Sequence, residues 1–351
     1  MSLPHLRRRT VLAAGAALAT TPLVGCGASE PVSRPKTSTK IEGTTTYPLR
    51  LENGGEELTF DAPPQRVVSL DQGSTELLLS LGLADRIVGT ASWTDPILDS
   101  LAEANTDVPR LADDAPTYEV VLGADPDFIT ASFGRHFGTG GVAERARFAE
   151  IGVPAYLSPT DIDNGKSING GGTRTRPLTV DALYQEIREL AEIFDVPSRG
   201  EALIATLKRR TEKALAGPQA RGVSLAFWFA DTKTPYIAGG LGSANMLCSL
   251  VGATNAFSDL EDDWPAVGWE TIVDRAPDAL VLGDLQRARF PGDVLEDKID
   301  FLESDELAST LQAVESGNYV ALHGAEMNPS IRFVDGLEKI TAWLSEQEKA
   351  S

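Results

Sequence analysis

The chain has 351 residues, with 51 Asp and Glu against 31 Lys and Arg and a formal net charge of −20. So acidic a surface repels phosphates and argues against a nucleic acid partner, and two cysteines cannot build a disulfide scaffold. A hydrophobic fraction of 42% is that of a globular chain, not a disordered one, and the length suits two domains or one large one.

Residues 1–25 read as a cleaved signal peptide outside the fold. Arg7, Arg8 and Arg9 form a basic start, and Val11–Ala19 is an apolar run too short to span a bilayer. Arg8-Arg9-Thr10-Val11-Leu12 matches the twin-arginine export pattern. Leu23-Val24-Gly25-Cys26 matches a bacterial lipobox, in which small residues admit the peptidase and the Cys26 thiol takes the diacylglycerol. The mature chain then starts at Cys26, with 28 basic against 51 acidic residues and a net charge of −23. Lipidation would anchor it outside the cytoplasm, on the cell membrane. Residues 26–46, rich in Ser, Thr, Pro and Lys, read as a flexible tether. The other thiol, Cys248, sits in an apolar helical run and reads as buried and inert.

The body opens with a hairpin, Tyr47–Glu52 and Glu56–Phe60, around Asn53-Gly54-Gly55. An N-terminal α/β lobe, 47–197, follows. Strands are predicted at Arg66–Leu70, Arg86–Thr90, Asp127–Ser132 and Pro154–Leu157. They alternate with helices from Ser74 to Leu81, at Tyr118–Gly123, at Val142–Ile151 and near 179–194. Glu76 reads as a residue favoured by the dipole of its helix. Residues 159–178 break the pattern and read as a mobile surface loop, or alternatively a lid. A charged helix, 198–216, would connect to a C-terminal α/β lobe, 217–351. There, strands are predicted at Val223–Phe229, Pro235–Ala238, Asp278–Leu282 and Asn318–Leu322, and helices at Ser243–Val251 and Ile331–Leu344.

The halves echo each other. Tyr118-Glu119 precedes Pro126-Asp127 as Trp269-Glu270 precedes Pro277-Asp278, with one offset of 151 positions. Two similar α/β lobes with a ligand cleft between them are the expected fold.

Enzyme signatures are missing. There is no Gly-x-Ser-x-Gly, Walker loop or His-Glu-x-x-His, and no nucleophile–base spacing, so no catalytic residue is assigned. Gly138-Thr139-Gly140-Gly141 resembles a dinucleotide fingerprint only loosely and is more simply a turn. His136 and His323 are too few for a metal site. Aromatic and Arg residues instead gather after predicted strands, where ligands of parallel sheets bind. Trp93, Phe133, Arg135, His136, Phe229, Trp264, Arg287, Arg289 and Met327 are the ligand-binding candidates. Stacking rings and forked guanidinium bonds suit a planar or anionic chelate. Trp228 is equally readable as core.

Arg66-Val67-Val68-Ser69-Leu70, Leu81-Gly82-Leu83, Ala124-Asp125-Pro126-Asp127, Gly252-Ala253-Thr254-Asn255 and Trp264-Pro265-Ala266-Val267 together resemble the ABC-importer substrate-binding proteins for ferric siderophores, haem and cobalamin. The resemblance covers roughly residues 47–345. It implies two Rossmann-like lobes joined by one long helix, and a role in binding and delivery without turnover. It implies that Glu119 and Glu270, one per lobe, dock on an ABC permease dimer served by its ATPase, and that Trp93 and Trp264 line the pocket. A ferric siderophore is the expected ligand, because its iron is already saturated and asks no ligand or cofactor of the protein. Cobalamin, haem and a surface receptor without transport are the alternatives.

Overall fold

The computed structural model describes residues 43–164, 174–287 and 289–350. The predicted signal peptide, Cys26 and most of the tether lie outside them.

Strands β1 (Leu49–Asn53) and β2 (Glu56–Phe60) form an antiparallel hairpin. The N-terminal lobe then runs β3 (Val67–Ser69), α1 (Gln72–Ser80), β4 (Ile87–Thr90), α2 (Ala102–Asn105), α3 (Tyr118–Gly123), β5 (Phe128–Ala131), α4 (Arg145–Ala149), β6 (Ala155–Leu157) and α5 (Val180–Ile193). Its four strands are parallel, in the order β4-β3-β5-β6. Helix α6 (Pro197–Leu215) leads to β7 (Ser224–Ala230), β8 (Tyr236–Ile237), α7 (Ser243–Val251), β9 (Thr254–Asn255), α8 (Trp269–Arg275) and β10 (Ala279–Asp284). The chain closes with α9 (Leu295–Ser304), α10 (Gln312–Glu315), β11 (Tyr319–His323), α11 (Gly324–Met327) and α12 (Phe333–Ala350). In this second sheet β11, β10 and β7 are parallel, β8 pairs antiparallel with β7, and β9 adds a short parallel pair.

Both sheets are covered on both faces, which is why their strands read as continuous apolar runs. Neighbours along a strand enter different clusters: Val67 and Phe128 on one side of the first sheet, Val68 and Ile129 on the other. One cluster continues from Leu78 and Phe128 through Ile204 and Leu207 of α6 to Leu225, Phe227 and Leu337, so a shared apolar core joins the lobes. Trp228 is core, meeting Trp269 edge-on at 4.9 Å. Cys248 is buried and free, and burial pushes its thiol up to about 12.

Local departures from the predicted elements have identifiable causes. Helix α1 starts earlier because Asp71 is its cap: Ser74 N donates to Asp71 Oδ1 at 2.9 Å. Helix α4 starts at Arg145 because the chain before it is spent in a turn. A Cβ on Gly141 would lie 2.2 Å from the Arg135 carbonyl, so that glycine serves a close backbone approach. Helix α9 has no counterpart among the predicted elements.

Among the polar contacts that join the lobes, two clusters are built around buried ion pairs. In the first, Asp95 accepts the Gly324 and Ala325 amides of α11 at 3.1 and 2.7 Å. Beside it, Arg332 is forked onto Glu76, with Nε to Oε2 at 2.7 Å, and donates to the Pro96 carbonyl at 2.6 Å. Glu76 is 0% exposed, which corrects its reading as a residue explained by the helix dipole. Its position is set by a partner 256 residues away.

In the second tie, Arg174 is forked onto Asp263 at 2.7 and 3.0 Å and donates to the Thr160 carbonyl at 2.6 Å. Asn164 donates to both Asp161 and Asp263, at 2.7 and 2.8 Å. Thr160, Asp161, Asn164 and Arg174, on the flanks of the predicted mobile loop, are therefore buried and bonded, while its centre, 165–173, lies outside the described residues.

Removing one partner of a buried ion pair strands the other charge. Glu76→Ala should cost about 3–5 kcal/mol of folding stability, read from urea midpoints. A cost below about 1 kcal/mol, the range of exposed pairs, would show that the Arg332 tie is dispensable.

Candidate ligand-binding cleft

The carboxyl ends of the parallel strands meet in a cleft of about 860 Å³, a size suited to a small-molecule ligand. Its walls come from segments following the strands: Asp71 and Gln72 after β3, Trp93 after β4, Phe133 and Arg135 after β5, and Gln286, Arg287, Arg289 and Phe290 after β10. Phe229, at the end of β7, and Trp264 pack against each other at 4.8 Å on the C-terminal wall.

Four arginines line this space, and each lies over a ring. Arg110 is 4.8 Å from the Trp93 centroid and Arg135 is 4.7 Å from Phe133. Arg287 lies 5.4 Å from Phe229 and 5.8 Å from Phe290, which Arg289 also approaches at 5.8 Å. Stacking on a ring face holds a planar guanidinium while leaving edge donors for a ligand. The Trp93 indole is held in turn, donating to Thr90 Oγ1 at 2.9 Å.

The charges are crowded. Burial works against the cationic form of Arg135; Asp71 and Asp161 favour it, and Arg287 and Arg289 oppose it from the other lobe. Arg287 is likewise depressed by burial, with Asp293 favouring the charge and Arg289 opposing it. An anion between these arginines would relieve their mutual repulsion. Asp113 and Asp114 stand at the exposed rim, Asp113 by Arg110 at 3.5 Å and Asp114 by Arg289 at 3.7 Å.

The structure brings together eight of the nine ligand-binding candidates: Trp93, Phe133, Arg135, His136, Phe229, Trp264, Arg287 and Arg289. Met327 is a correction. It is 0% exposed, packed in the core near Gly283, because the chain turns inward at α11 and presents Ala325 and Asn328 instead. His136 reaches the floor, but both ring nitrogens are buried. Its Nε2 lies 3.6 Å from Asp71, and burial followed by the Arg135 charge pushes its pKa well below the usual range. A neutral imidazole so enclosed does not present a nitrogen to the cleft. His323 caps α11 and does not line the cleft.

Arg110 and Tyr236 escaped the sequence reading. Arg110 is brought in by a lone bridge to Thr90, and no local pattern marks it. Tyr236 ends up on the wall through β8, a two-residue strand. Asp71 carried a usable signal, since it directly follows the predicted strand Arg66–Leu70.

Glu119 and Glu270 lie apart from the cleft in matching frames. Each follows a buried aromatic, Tyr118 or Trp269, in the first turn of a short helix, and each is exposed. The echo extends to Asp127 and Asp278, which brace the entry to the neighbouring strand: Asp127 accepts the Gln65 and Arg66 amides, and Asp278 the Ser224 amide.

A model of a protein family described as periplasmic binding protein matches residues 67–325. A lipoprotein of Bacillus subtilis, the ABC transporter substrate-binding lipoprotein YvrC, is 22% identical over 81% of this chain and 83% of its own. A vitamin B12-binding protein of Yersinia pestis is 25% identical over 63% of this chain and 70% of its own. A crystal structure described as an ABC-type Fe3+-hydroxamate transport system of Saccharomonospora viridis superposes with a TM-score of 0.70, at 24% identity, covering 85% of this chain and 99% of the other.

Asp161 connects the second tie to the cleft, because its Oδ2 accepts the Gly134 amide at 2.6 Å and so holds the Phe133–Arg135 turn. Burial raises its pKa to about 6, although Arg174 and these hydrogen bonds pull it down. A folded pKa above the unfolded one means the folded state binds this proton more tightly. Stability from Asp161 is therefore greatest below about pH 4 and declines as pH rises to about 6. In Asp161→Asn, urea midpoints should lose that part of the slope. The same slope in both proteins would rule out this titration.

Proposed function

Because the chain belongs to the periplasmic binding protein family, we propose that it is the extracytoplasmic substrate-binding component of an ABC importer and that its cargo is an anionic ferric siderophore. The observation that carries this reading is the set of four ring-stacked arginines, drawn from both lobes, around one cleft. A chelate that saturates its iron needs no metal ligand from the protein. It needs donors for its anionic oxygens and flat apolar surface for its rings, which guanidinium–aromatic pairs supply. The buried nitrogens of His136 remove that imidazole as an axial ligand for haem, and leave Tyr236 on the wall as the side chain a haem would need. The names of the relatives support import as the role: one is an ABC transporter lipoprotein and another an iron(III)-hydroxamate transport protein.

In this reading the Cys26 lipobox anchors the chain to the outer face of the cell membrane. The ligand is held for delivery, not turned over. Glu119 and Glu270 are the permease contacts, offering one exposed carboxylate per lobe to basic sockets on a two-fold partner.

The test uses the body without Cys26 and follows Trp fluorescence, with Trp93 and Trp264 at the cleft, while ferric catecholates, hydroxamates, citrate, haemin and cobalamin are added. Saturable quenching by an anionic ferric chelate is expected. Arg287→Ala or Arg289→Ala should each weaken that binding by about 1.5–3 kcal/mol, the value of a hydrogen bond to a charged group. Quenching by haemin or cobalamin alone would replace the siderophore assignment. Charge reversal at Glu119 and Glu270 should abolish cellular uptake while binding in solution is retained; undiminished uptake would instead favour a surface receptor.

A further inference from the structure

Helix α9 carries a fully buried lysine. Lys298 is 0% exposed, and its Nζ donates to the carbonyls of Gly283 at 2.6 Å, Asp293 at 3.2 Å and Gly292. An ammonium has three donors, so every proton has an acceptor. All three carbonyls belong to the end of β10 or to the turn after it, residues 285–287 and 289–293. The Asp293 side chain, 1% exposed, completes the arrangement. It accepts the Arg289 amide at 2.7 Å and the Phe290 amide at 2.9 Å, and stands 3.4 Å from Arg287 Nε. The same turn is fixed to the other lobe where Gln286 N donates to the Thr94 carbonyl at 2.8 Å.

We propose that Lys298 is a positioning residue for ligand recognition: its ammonium gathers the carbonyls of Gly283, Gly292 and Asp293 and so holds Arg287 and Arg289 toward the cleft. The proposal rests on the anionic-ligand reading for its functional consequence, and on geometry alone for the positioning. Packing does not explain the residue. Its stem lies against Trp228, whose ring is 5.3 Å from Nζ, and a methionine would fill that space without desolvating a charge. The charge is useful because only a multivalent donor can tie three carbonyls to one point.

The groups facing Lys298 are Asp293, Asp284 and Arg287 from β10 and the following turn, and Asp297 on its own helix. Burial lowers its pKa to about 8; Asp293 and Asp284 oppose the shift and Arg287 adds to it. The folded pKa is below the unfolded one, so the ammonium is a cost to folding that fades as pH rises from about 8 toward 10.5. For binding the sign is reversed. An anion near Arg287 favours the ammonium, so affinity falls as pH rises through about 8.

The experiment compares the unsubstituted protein with Lys298→Met. Hydrogen exchange at the Arg289 and Phe290 amides should be at least about tenfold faster in the variant, with the core amides unchanged. Affinity for a ferric tricatecholate should drop at least about tenfold, the scale of a slightly misplaced contact. The step in affinity near pH 8 should vanish, the chelate's own titration cancelling between the two proteins. Unaltered exchange, or unaltered affinity with the pH step intact, overturns the proposal. If neither protein binds any anionic ferric chelate while the exchange difference is present, the ligand reading fails and the positioning role stands. Should the variant not fold, exchange of the same two amides in the unsubstituted protein decides. Corrected for intrinsic rates, it should accelerate as pH passes about 8, and a flat profile overturns the proposal.

Discussion

The buried fork between Arg332 and Glu76 is the constraint on which the cleft depends. Its partners are 256 positions apart, one on α1 and the other just before α12, and both are buried. A fork this enclosed keeps two guanidinium bonds satisfied only at one mutual placement of the helices. The Arg174–Asp263 fork applies a similar condition near Trp264. Between them runs the shared apolar core through α6. The walls of the cleft are thus held before a ligand arrives, and recognition draws on side chains already in place.

That rigidity explains how an acidic body can hold basic residues where they are useful. The net charge of −20 is spread over the whole chain, and salt screens it within about 8–10 Å. At contact distance the local arginines govern. Arg110, Arg135, Arg287 and Arg289 each lie on a ring, so their charge is held near one position. Burial is what chiefly depresses Arg135 and Arg287, and the neighbouring arginines add to it. Asp71, Asp161 and Asp293 offset part of that shift from behind the walls.

The fold was largely legible because parallel strands covered on both faces give unmistakable apolar runs, and Ser243–Val251 was predicted to the residue. Where prediction slipped, one tertiary contact had overruled local pattern. Glu76 looked like a first-turn acid until Arg332 arrived from the far end of the chain, and the Gly-rich stretch before Arg174 hid a buried arginine. The cleft was legible where an aromatic residue or an arginine followed a strand of the main sheets, as Trp93, Arg135 and Arg287 do. It was not legible at Arg110, which a single bridge delivers, or at Lys298, whose meaning lies in three carbonyls that carry no sequence identity. Met327 failed for the opposite reason: it follows β11, but α11 turns it inward.

The repeated aromatic-Glu and Pro-Asp pattern combines both lessons. Its buried members do the same work twice: Tyr118 and Trp269 anchor their helices, and Asp127 and Asp278 tie the start of one strand to the strand beside it. Those needs account for the aromatic and the Asp in each lobe. They do not account for Glu119 and Glu270, which are exposed and make no buried ion pair among the described residues. A first-turn acid gains a little from the helix dipole, but Asp or a capping residue would do as well. The two carboxylates are set on equivalent frames of two lobes that the buried forks keep at a fixed relation. Their separation is therefore a property of the whole molecule, and a partner with two matching cations could read it in one encounter.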